Sequence, residues 1–251
     1  MCRVSNVAVV TGGSRGIGAA TAVLLAARGW DVAVGFCHDA EAAARVVAEC
    51  KAEGRRSVAW RADVASEPDV LRLFAKVDEE LGLLTALVNC AGIVGRKARV
   101  DQYPSGRVEE IFAVNVVGPF LCAREAVRRM STLSGGNGGS IVNISSAASR
   151  LGSAGEYVDY AASKGAIDTM TIGLAREVAL EGIRVNAVRP GLVDTTIHAS
   201  GGQPDRVQRL ARSIPMGRVG EPHEIAVAVA WLCSDEASYV TGALLDVSGG
   251  R

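Results

Sequence analysis

The chain has 251 residues, of which 49% are hydrophobic and only 4% aromatic, and its formal net charge is zero. This length allows one large domain or two small ones, and the aliphatic composition suits parallel strands covered by alanine-rich helices. A neutral chain argues against a broad nucleic-acid surface, and no apolar run approaches the roughly 20 residues that span a bilayer.

The N-terminal stretch MCRVSNVAVVTGG has no signal-peptide pattern and leads directly into an apolar run, so we expect a cytoplasmic protein. The six cysteines form no Cys-x-x-Cys pair and have no accompanying histidine cluster. They stand at positions 2, 37, 50, 90, 122 and 233. This distribution predicts reduced structural thiols and no metal site.

Strand and helix patterns alternate along the whole chain. The predicted strands span 7–11, 31–36, 57–64, 85–92, 140–145, 183–191 and 243–249. The predicted helices span 16–28, 40–53, 67–81, about 107–117, 119–131, about 157–181 and 223–233, and residues 192–222 are irregular around one helix. The alternation predicts an α/β fold, a Rossmann-type doubly wound parallel sheet with helices on both faces, in a single domain over 1–251.

The segment TGGSRGIG, residues 11–18, joins the first predicted strand to the first predicted helix. Gly12 permits the tight turn, and Gly16 and Gly18 let the backbone approach a pyrophosphate and let the helix pack on the sheet. The N–H groups of the first helical turn then face the phosphates. A glycine-rich turn in this position predicts a dinucleotide site, and a purely structural turn is the alternative.

The stretch EYVDYAASK, residues 156–164, contains two tyrosines and one lysine. A helix places residues four apart on one face, so Tyr160 pairs with Lys164, whereas Tyr157 has only Ala161 at that offset. An ammonium about 4 Å from a phenol favours the phenolate by roughly 4 kcal/mol before desolvation, or about three pKa units. We therefore expect Tyr160 to be tuned toward neutrality as an acid/base and Tyr157 to pack.

Several motifs in a fixed order resemble those of the short-chain dehydrogenase/reductase family over the whole chain. They are TGGSRGIG, Asp63, the NCAG of 89–92, Asn115, Ser145-Ser146, Tyr160-x-x-x-Lys164 and Pro190-Gly191. The resemblance is to bacterial 3-oxoacyl-[acyl-carrier-protein] reductases and glucose 1-dehydrogenases. It implies an NAD(P)-dependent oxidoreductase (EC 1.1.1.-) that exchanges a hydride between the nicotinamide and a carbonyl/secondary alcohol, and a homotetramer built from paired helices and C-terminal strands.

The family pattern implies four catalytic residues: Ser146, Tyr160, Lys164 and Asn115. Ser146 would hold the substrate oxygen, with Ser145 on the opposite face of its strand, and Asn115 would perturb its helix and hold a water in a proton relay. The interval from Ser146 to Tyr160 is one residue longer than in many members of the family. The extra residue would lie at the substrate pocket, so the resemblance does not imply a particular substrate.

The same resemblance implies the residues that bind the cofactor. They are Gly12, Ser14, Arg15, Gly16, Ile17, Gly18, His38, Asp63, Val64, Asn89, Ala91, Gly92, Tyr160, Lys164, Pro190, Gly191, Val193 and Thr195. Asp63 and the Val64 amide would contact adenine. The Val193 backbone would contact the nicotinamide carboxamide, and Thr195 would contact the carboxamide or the phosphate. Cys90 stands where the family has a second asparagine, which puts one hydrogen bond of the central sheet in doubt.

NADP(H) is the preferred cofactor in this interpretation, with NAD(H) possible. No carboxylate stands near Phe36, where an acid would bind the adenosine ribose and repel a 2′-phosphate, and Arg15 and His38 supply cationic or polar contacts. The alternatives are an NAD-dependent sugar or polyol dehydrogenase and an NADPH-binding regulatory protein without turnover. A substrate lid is expected at about 192–222. Glu156, in the loop that follows Ser146, is expected to face either the substrate pocket or solvent.

Overall fold

The computed structural model of the protein describes residues 6–251, apart from the side chain of His198. Seven parallel strands form one sheet in the order β3-β2-β1-β4-β5-β6-β7. The strands are β1 (Val7–Thr11), β2 (Asp31–Phe36), β3 (Ser57–Arg61), β4 (Ala86–Asn89), β5 (Gly139–Ile144), β6 (Ile183–Pro190) and β7 (Leu244–Val247). The expected Rossmann-type α/β fold is confirmed.

Ten α-helices connect and flank these strands within residues 6–251. They are α1 (Gly16–Ala27), α2 (Ala40–Ala52), α3 (Glu67–Glu80), α4 (Arg107–Phe112), α5 (Gly118–Met130), α6 (Ala148–Leu151), α7 (Val158–Val178), α8 (Ile197–Ser200), α9 (Arg206–Leu210) and α10 (Pro222–Cys233). No helix in this range is long and apolar enough to cross a membrane. Its five cysteines are free thiols, and Cys2 lies outside the described residues.

Two apolar clusters cover the two faces of the sheet. Val7 and Val9 point to the cluster formed with α3, α5 and α7, whereas Ala8 and Val10 point to the cluster formed with α1, α2 and α10. Successive strand side chains alternate between faces, and a sheet buried on both faces needs apolar residues at every position. This explains why the strands read as continuous runs of valine, alanine, leucine and isoleucine.

The boundaries of the long elements agree with the sequence to within a few residues. The third and fourth strands are shorter than expected, ending at Arg61 and Asn89. A π-helical segment, Ala113–Val117, joins α4 to α5, and a short helix, α6, follows the fifth strand without having been anticipated. The segment 192–222 holds α8, α9 and the start of α10 rather than one helix.

The strand order reverses at β1, which lies between β2 and β4. In open α/β sheets, ligands bind in the crevice outside the carboxyl ends of the strands at such a switch point. The glycine turn follows β1 at this edge. The segments after β4, β5 and β6 begin at the same edge, because all the strands run parallel. This edge is where the predicted site residues are brought together.

Candidate active site

Two glycines in the turn after β1 leave no room for a side chain. Gly12 has a φ of 62°, and a Cβ there would lie 2.7 Å from the Cα of Ala91. A Cβ on Gly18 would collide with the carbonyl oxygen of Gly12. The backbones after β1 and β4 therefore approach as closely as glycine allows, which leaves a cradle at the switch point.

The amino end of α1 is suited to an anion. The helix starts at Gly16, no acidic residue lies in its first turn, and the Arg15 side chain does not cap it. The first N–H groups of a helix lack intrahelical partners and carry the positive end of the dipole. Together with the glycine cradle, this end fits the diphosphate of a dinucleotide. Ser14 and Ile17 are half-buried in the same turn, and Arg15 is exposed.

Thr11 joins the two backbones of the cradle, a role that the sequence analysis missed. Its Oγ1 accepts hydrogen bonds from the N–H groups of Cys90 and Ala91, both at 3.1 Å. These contacts hold the NCAG segment beside the glycine turn although Cys90 has no amide side chain. The sequence did contain a signal for this role of Thr11, because a hydroxyl residue ends an apolar strand just before the glycines.

Asn89 makes a bond across the central sheet. Its Nδ2 donates to the Oδ1 of Asn143 at 2.9 Å, and the two residues are register partners in β4 and β5. This contact ties together the two strands whose ends carry the NCAG segment and the serine pair. Asn89 is buried, so its side chain supports the sheet below the cradle.

Tyr160 and Lys164 lie on the first turns of α7, as their spacing predicted. The Lys164 Nζ is 5.6 Å from the centre of the Tyr160 ring and donates a hydrogen bond of 2.7 Å to the carbonyl oxygen of Ile144. Burial lowers the pKa of Lys164 to about 8. Lys164 therefore has a pKa close to neutrality in the protein without ligand.

The pKa of Tyr160 does not fall toward neutrality as the sequence led us to expect. Burial raises it above its ordinary value, a hydrogen bond with Ser146 opposes that rise, and Cys90 adds to it. Burial of the phenol is the physical reason, and the Lys164 ammonium meanwhile donates to the Ile144 carbonyl. In this state Tyr160 is a neutral phenol with a proton to donate.

The serine pair divides as the alternation of a strand requires. The Ser145 Oγ points into the fold, where it donates to the Asp168 Oδ1 at 2.7 Å. Ser146 interacts with Tyr160, and its Oγ accepts the N–H of Ala148 at 3.1 Å. Ser149 is engaged by donating to the Ser146 carbonyl at 2.9 Å. Of these serines, Ser146 is the one that shares the site with Tyr160.

Asn115 lies in the π-helical segment between α4 and α5 and is fully buried. Its Nδ2 donates to the Ile93 carbonyl at 2.9 Å and to the Ser163 Oγ at 3.1 Å, and its Oδ1 accepts the Ile93 N–H at 2.8 Å. A Cβ on Gly92 would lie 3.4 Å from the Asn115 Oδ1 and 3.6 Å from the Lys164 Nζ. Asn115 thus connects the loop after β4 with α7 at Ser163, the residue before Lys164.

The residues expected at the adenosine end lie at the ends of neighbouring strands. Asp63 is exposed, and its Oδ1 accepts the N–H of Ala65 at 2.9 Å, while Val64 is buried. His38 is exposed just after β2. Asp39 caps α2 by accepting the Ala42 N–H at 2.9 Å, so it is engaged by the helix.

The segment after β6 returns over the glycine turn. Pro190 is the last residue of β6, and Gly191 contacts the backbone of Ser248, where a Cβ would collide. Val193 is buried and forms a bridge with Gly220. A Cβ on Gly16 would lie 3.3 Å from the Thr195 Cγ2, so Thr195 lies against the start of α1.

A family model described as enoyl-(acyl carrier protein) reductase matches residues 12–251. An uncharacterised oxidoreductase of Escherichia coli (strain K12), YgfF, is 52% identical over 98% of this chain and 99% of its own length. The chain belongs to the short-chain dehydrogenase/reductase family.

Other members show the breadth of this family. A cis-4-hydroxycyclohexanecarboxylate dehydrogenase of Sinomonas cyclohexanicum is 40% identical over 98% of this chain and 96% of its own. A solved structure, a dehydrogenase/reductase from Sinorhizobium meliloti 1021, superposes with a TM-score of 0.91 at 38% identity, covering 99% of this chain and 95% of that one. The expected resemblance to glucose 1-dehydrogenases and 3-oxoacyl-[acyl-carrier-protein] reductases is also confirmed by relatives so named.

Family membership makes the chain an oxidoreductase of the short-chain type, and members of this family use NAD(P)(H). The cradle of Gly12 and Gly18 and the uncapped amino end of α1 fit that cofactor, because both present backbone to a diphosphate. The names of the relatives cover a cyclic hydroxy acid, a sugar and an acyl thioester, so they do not select one substrate.

Proposed function

We propose that the protein is an NADP(H)-dependent oxidoreductase that transfers a hydride between the nicotinamide and a carbonyl/secondary alcohol, with Tyr160 as the general acid/base. The observation that carries this proposal is the cluster of Tyr160, Lys164 and Ser146 at the edge of the sheet that also holds the glycine cradle. The bound cofactor supplies or accepts the hydride; the remaining steps belong to side chains of this chain.

In the direction of reduction, the Tyr160 hydroxyl donates its proton to the carbonyl oxygen as that oxygen gains charge. A phenol whose pKa is raised by burial is protonated at neutral pH and is ready for this role. Ser146 holds the same oxygen by a hydrogen bond and stabilises the developing charge. In the direction of oxidation the alcohol proton passes back to Tyr160, which requires a lower phenol pKa in the loaded enzyme.

Lys164 is proposed to return the proton to Tyr160 and to bind the nicotinamide ribose. Its pKa of about 8 allows it to give up and regain a proton near neutral pH. Asn115 supports the relay indirectly, because its side-chain amide is committed to Ile93 and to Ser163, the residue before Lys164. Its part in holding a water would fall to its backbone.

The cofactor preference is proposed from charge. Arg15 is exposed beside the glycine turn and His38 is exposed after β2, whereas the carboxylate of Asp39 is used as a helix cap. A 2′-phosphate would then meet a guanidinium rather than a carboxylate. The remaining cofactor contacts are proposed at the residues named from the sequence, from Gly12 to Thr195.

We also propose the organisation around the site. One domain over 1–251 carries a substrate lid at about 192–222, acts in the cytoplasm on a small molecule, and assembles into a homotetramer. Support for the lid comes from the short helices α8 and α9, which lie in this segment and contact the loops beside Tyr160. Neither nucleic acid nor membrane is a partner in this proposal.

The test is oxidation of NADPH and of NADH against a panel of ketones, diketones, ketoacyl thioesters, cyclic keto acids and aldoses. We expect NADPH-dependent turnover that falls by about 10²–10⁴-fold in Tyr160→Phe, the usual contribution of general acid–base catalysis. Tyr239→Phe is the matched control, because that tyrosine is fully exposed and lies in another part of the fold.

Equal turnover by wild type and Tyr160→Phe would overturn the mechanism. Turnover with NADH alone would favour the NAD-dependent sugar or polyol dehydrogenase. Tight NADPH binding with no turnover across the panel would instead favour the regulatory alternative, in which Tyr160→Phe has no functional effect.

A further inference from the structure

Three segments meet next to the start of α7: residues 94–98, residues 153–157 and residues 197–209. Tyr157, the residue before α7, is buried, and its hydroxyl donates to the carbonyl oxygen of Gly201 at 3.1 Å. The same hydroxyl accepts a hydrogen bond from the Gln203 Nε2 at 2.5 Å, and the Arg209 Nη2 donates to the Gln203 Oε1 at 2.5 Å. These hydrogen bonds therefore connect Tyr157 with the segment between α8 and α9 and with Arg209 on α9.

An ion pair lies beside these hydrogen bonds. The Arg206 Nη1 is 2.5 Å from the Glu156 Oε2, and the Lys97 Nζ is 3.3 Å from the Glu156 Oε1. Only 11% of the Arg206 side chain and 21% of the Glu156 side chain are exposed. Burial raises the pKa of Glu156, but Arg206 and Lys97 outweigh it and hold that pKa below its ordinary value. Glu156 is therefore ionised and paired at neutral pH.

The backbone conformation before α7 places Glu156 and Tyr157 on the side of the lid. Ser153 is the one non-glycine residue with a positive φ, 49°, within residues 6–251. Its carbonyl oxygen accepts the N–H groups of Glu156 at 3.1 Å and of Tyr157 at 3.0 Å. Strained positions of this kind persist where the surrounding structure determines them, often at functional sites. The turn in the loop after Ser146 thus presents Glu156 and Tyr157 together.

We propose that Tyr157 and Glu156, with Gln203 and Arg206, form a latch that holds the lid closed over Tyr160 and so positions the substrate. The four are positioning residues, because they act through the lid rather than on the reacting atoms. This inference rests on the proposed function for the identity of the lid and the site. The helices α8 and α9 have only four and five residues, so contacts such as these must hold the segment in place.

The latch also couples the lid to the catalytic helix. Tyr157 is separated from Tyr160 by two residues, and α7 starts at Val158. Closing the lid therefore fixes the residue that immediately precedes the helix carrying the proposed acid/base. The second tyrosine of EYVDYAASK performs the chemistry in this scheme, and the first fastens the lid.

Limited trypsin digestion of the protein without ligand tests the latch without any turnover. Arg206, Arg209 and Arg212 are cleavage sites inside the lid, and neither Tyr157→Phe nor Glu156→Gln removes them. When opening is fast, cleavage follows the population of the open form. Losing a hydrogen bond worth about 1 kcal/mol raises that population about fivefold. We expect cleavage after these arginines, assigned by mass spectrometry, to accelerate by about fivefold to tenfold in both variants.

The matched controls are Tyr239→Phe and Glu49→Gln, because both residues are exposed and lie outside the three segments. A third variant opens the latch sterically. Gly201 has a φ of −76°, which alanine adopts readily, but a Cβ there would lie 3.0 Å from the Tyr157 hydroxyl and 3.2 Å from the Val94 Cγ1. Gly201→Ala should therefore also accelerate cleavage, whereas the two controls should match the wild type.

Kinetics with the best substrate of the panel give a second readout. We expect KM to rise by about fivefold or more in Tyr157→Phe while kcat changes less, because an open lid weakens substrate binding. Wild-type cleavage rates in all three latch variants, or a loss confined to kcat, would overturn the latch. Tyr160→Phe should lose kcat at an unchanged cleavage rate; full activity of that variant would overturn the proposed function and leave the proteolysis result standing.

Discussion

The hydroxyls of Tyr157 and Tyr160 lie in different surroundings although only two residues separate them. Tyr160 lies on the first turn of α7 and interacts with Ser146. Tyr157 precedes that helix and contacts Gly201 and Gln203. Because the one hydrogen of the Tyr157 hydroxyl is donated to Gly201, this phenol has none left to donate to a substrate oxygen. At the scale of single residues, the structure thus supports Tyr160 as the acid/base and gives Tyr157 a different role.

Arg15 belongs to the same scale, because its proposed effect on cofactor choice depends on one charge. We expect Arg15→Ala to raise the Kd for NADPH about tenfold and the Kd for NADH less than twofold, since only NADPH carries the 2′-phosphate. The measurement is a titration of nicotinamide fluorescence with each reduced cofactor. Salt should reduce the difference, because the contact is exposed.

Arg176→Ala is the control for that experiment, since Arg176 is exposed near the opposite end of α7. Equal weakening of NADPH and NADH by Arg15→Ala would contradict the proposed preference. The exposed residue would then contribute general attraction for the diphosphate rather than recognition of a 2′-phosphate.

At the scale of elements, a buried ion pair anchors the start of α7. The Arg107 Nε on α4 donates to the Asp159 Oδ2 at 2.7 Å, and 6% and 1% of the two side chains are exposed. The Tyr103 hydroxyl donates to the Asp159 Oδ1 at 3.1 Å and accepts the Val158 N–H. The turn of α7 that carries Tyr160 is therefore attached to α4 by side chains remote in sequence.

Asp159→Asn should destabilise the protein, because it leaves the Arg107 charge buried without a counter-charge. Breaking a buried pair from one side costs about 3–5 kcal/mol in the free energy of unfolding. Urea unfolding at pH 7 measures this, with exposed Asp101→Asn as the control. Arg107→Met in the Asp159→Asn background should recover part of the loss; no recovery would contradict the charge argument.

The same pair gives the stability a dependence on pH. Burial raises the pKa of Asp159, but hydrogen bonds from Arg107 and from the Tyr160 backbone outweigh it and hold that pKa below its ordinary value. A depressed carboxyl pKa contributes stability above the unfolded value of about 3.9, and this contribution disappears as pH falls through the folded value. The difference between wild type and Asp159→Asn should shrink below about pH 4; a constant difference would contradict it.

At the scale of the whole molecule, apolar side chains remain exposed along α4, the π-helical segment that follows it, and α5. Val108, Val117 and Phe120 are 44%, 49% and 53% exposed. Val117 and Phe120 are three residues apart and share one helical face. Apolar side chains exposed on one helical face are suited to association between subunits, which is consistent with the proposed homotetramer of paired helices.

Phe120→Glu should dissociate the proposed tetramer, because it buries a carboxylate in the apolar contact between the paired helices. Light scattering after size-exclusion chromatography should then show a species of half the mass or less. Leu83→Glu is the control, since Leu83 is 56% exposed but lies outside α4, α5 and α7. A monomeric wild type, or a variant of unchanged mass, would overturn the assembly.

The sequence by itself determined the seven strands and the long helices, because their signals are local. Apolar runs located all seven strands, and the glycine turn and the four-residue spacing of Tyr160 and Lys164 located the two ends of the candidate site. The parallel order then followed from alternating strands and helices. Each of these inferences depends on residues that are close together along the chain.

Only the tertiary structure decided what the side chains contact. The Lys164 ammonium binds the Ile144 carbonyl 20 residues away, which the helical spacing did not show, and burial raises the pKa of Tyr160. Gln203 reaches Tyr157 across 46 residues, and Arg107 reaches Asp159 across 52. Periodicity and turn residues act over one or two helical turns, whereas burial and long-range pairing exist only once the strands have brought distant segments to one edge of the sheet.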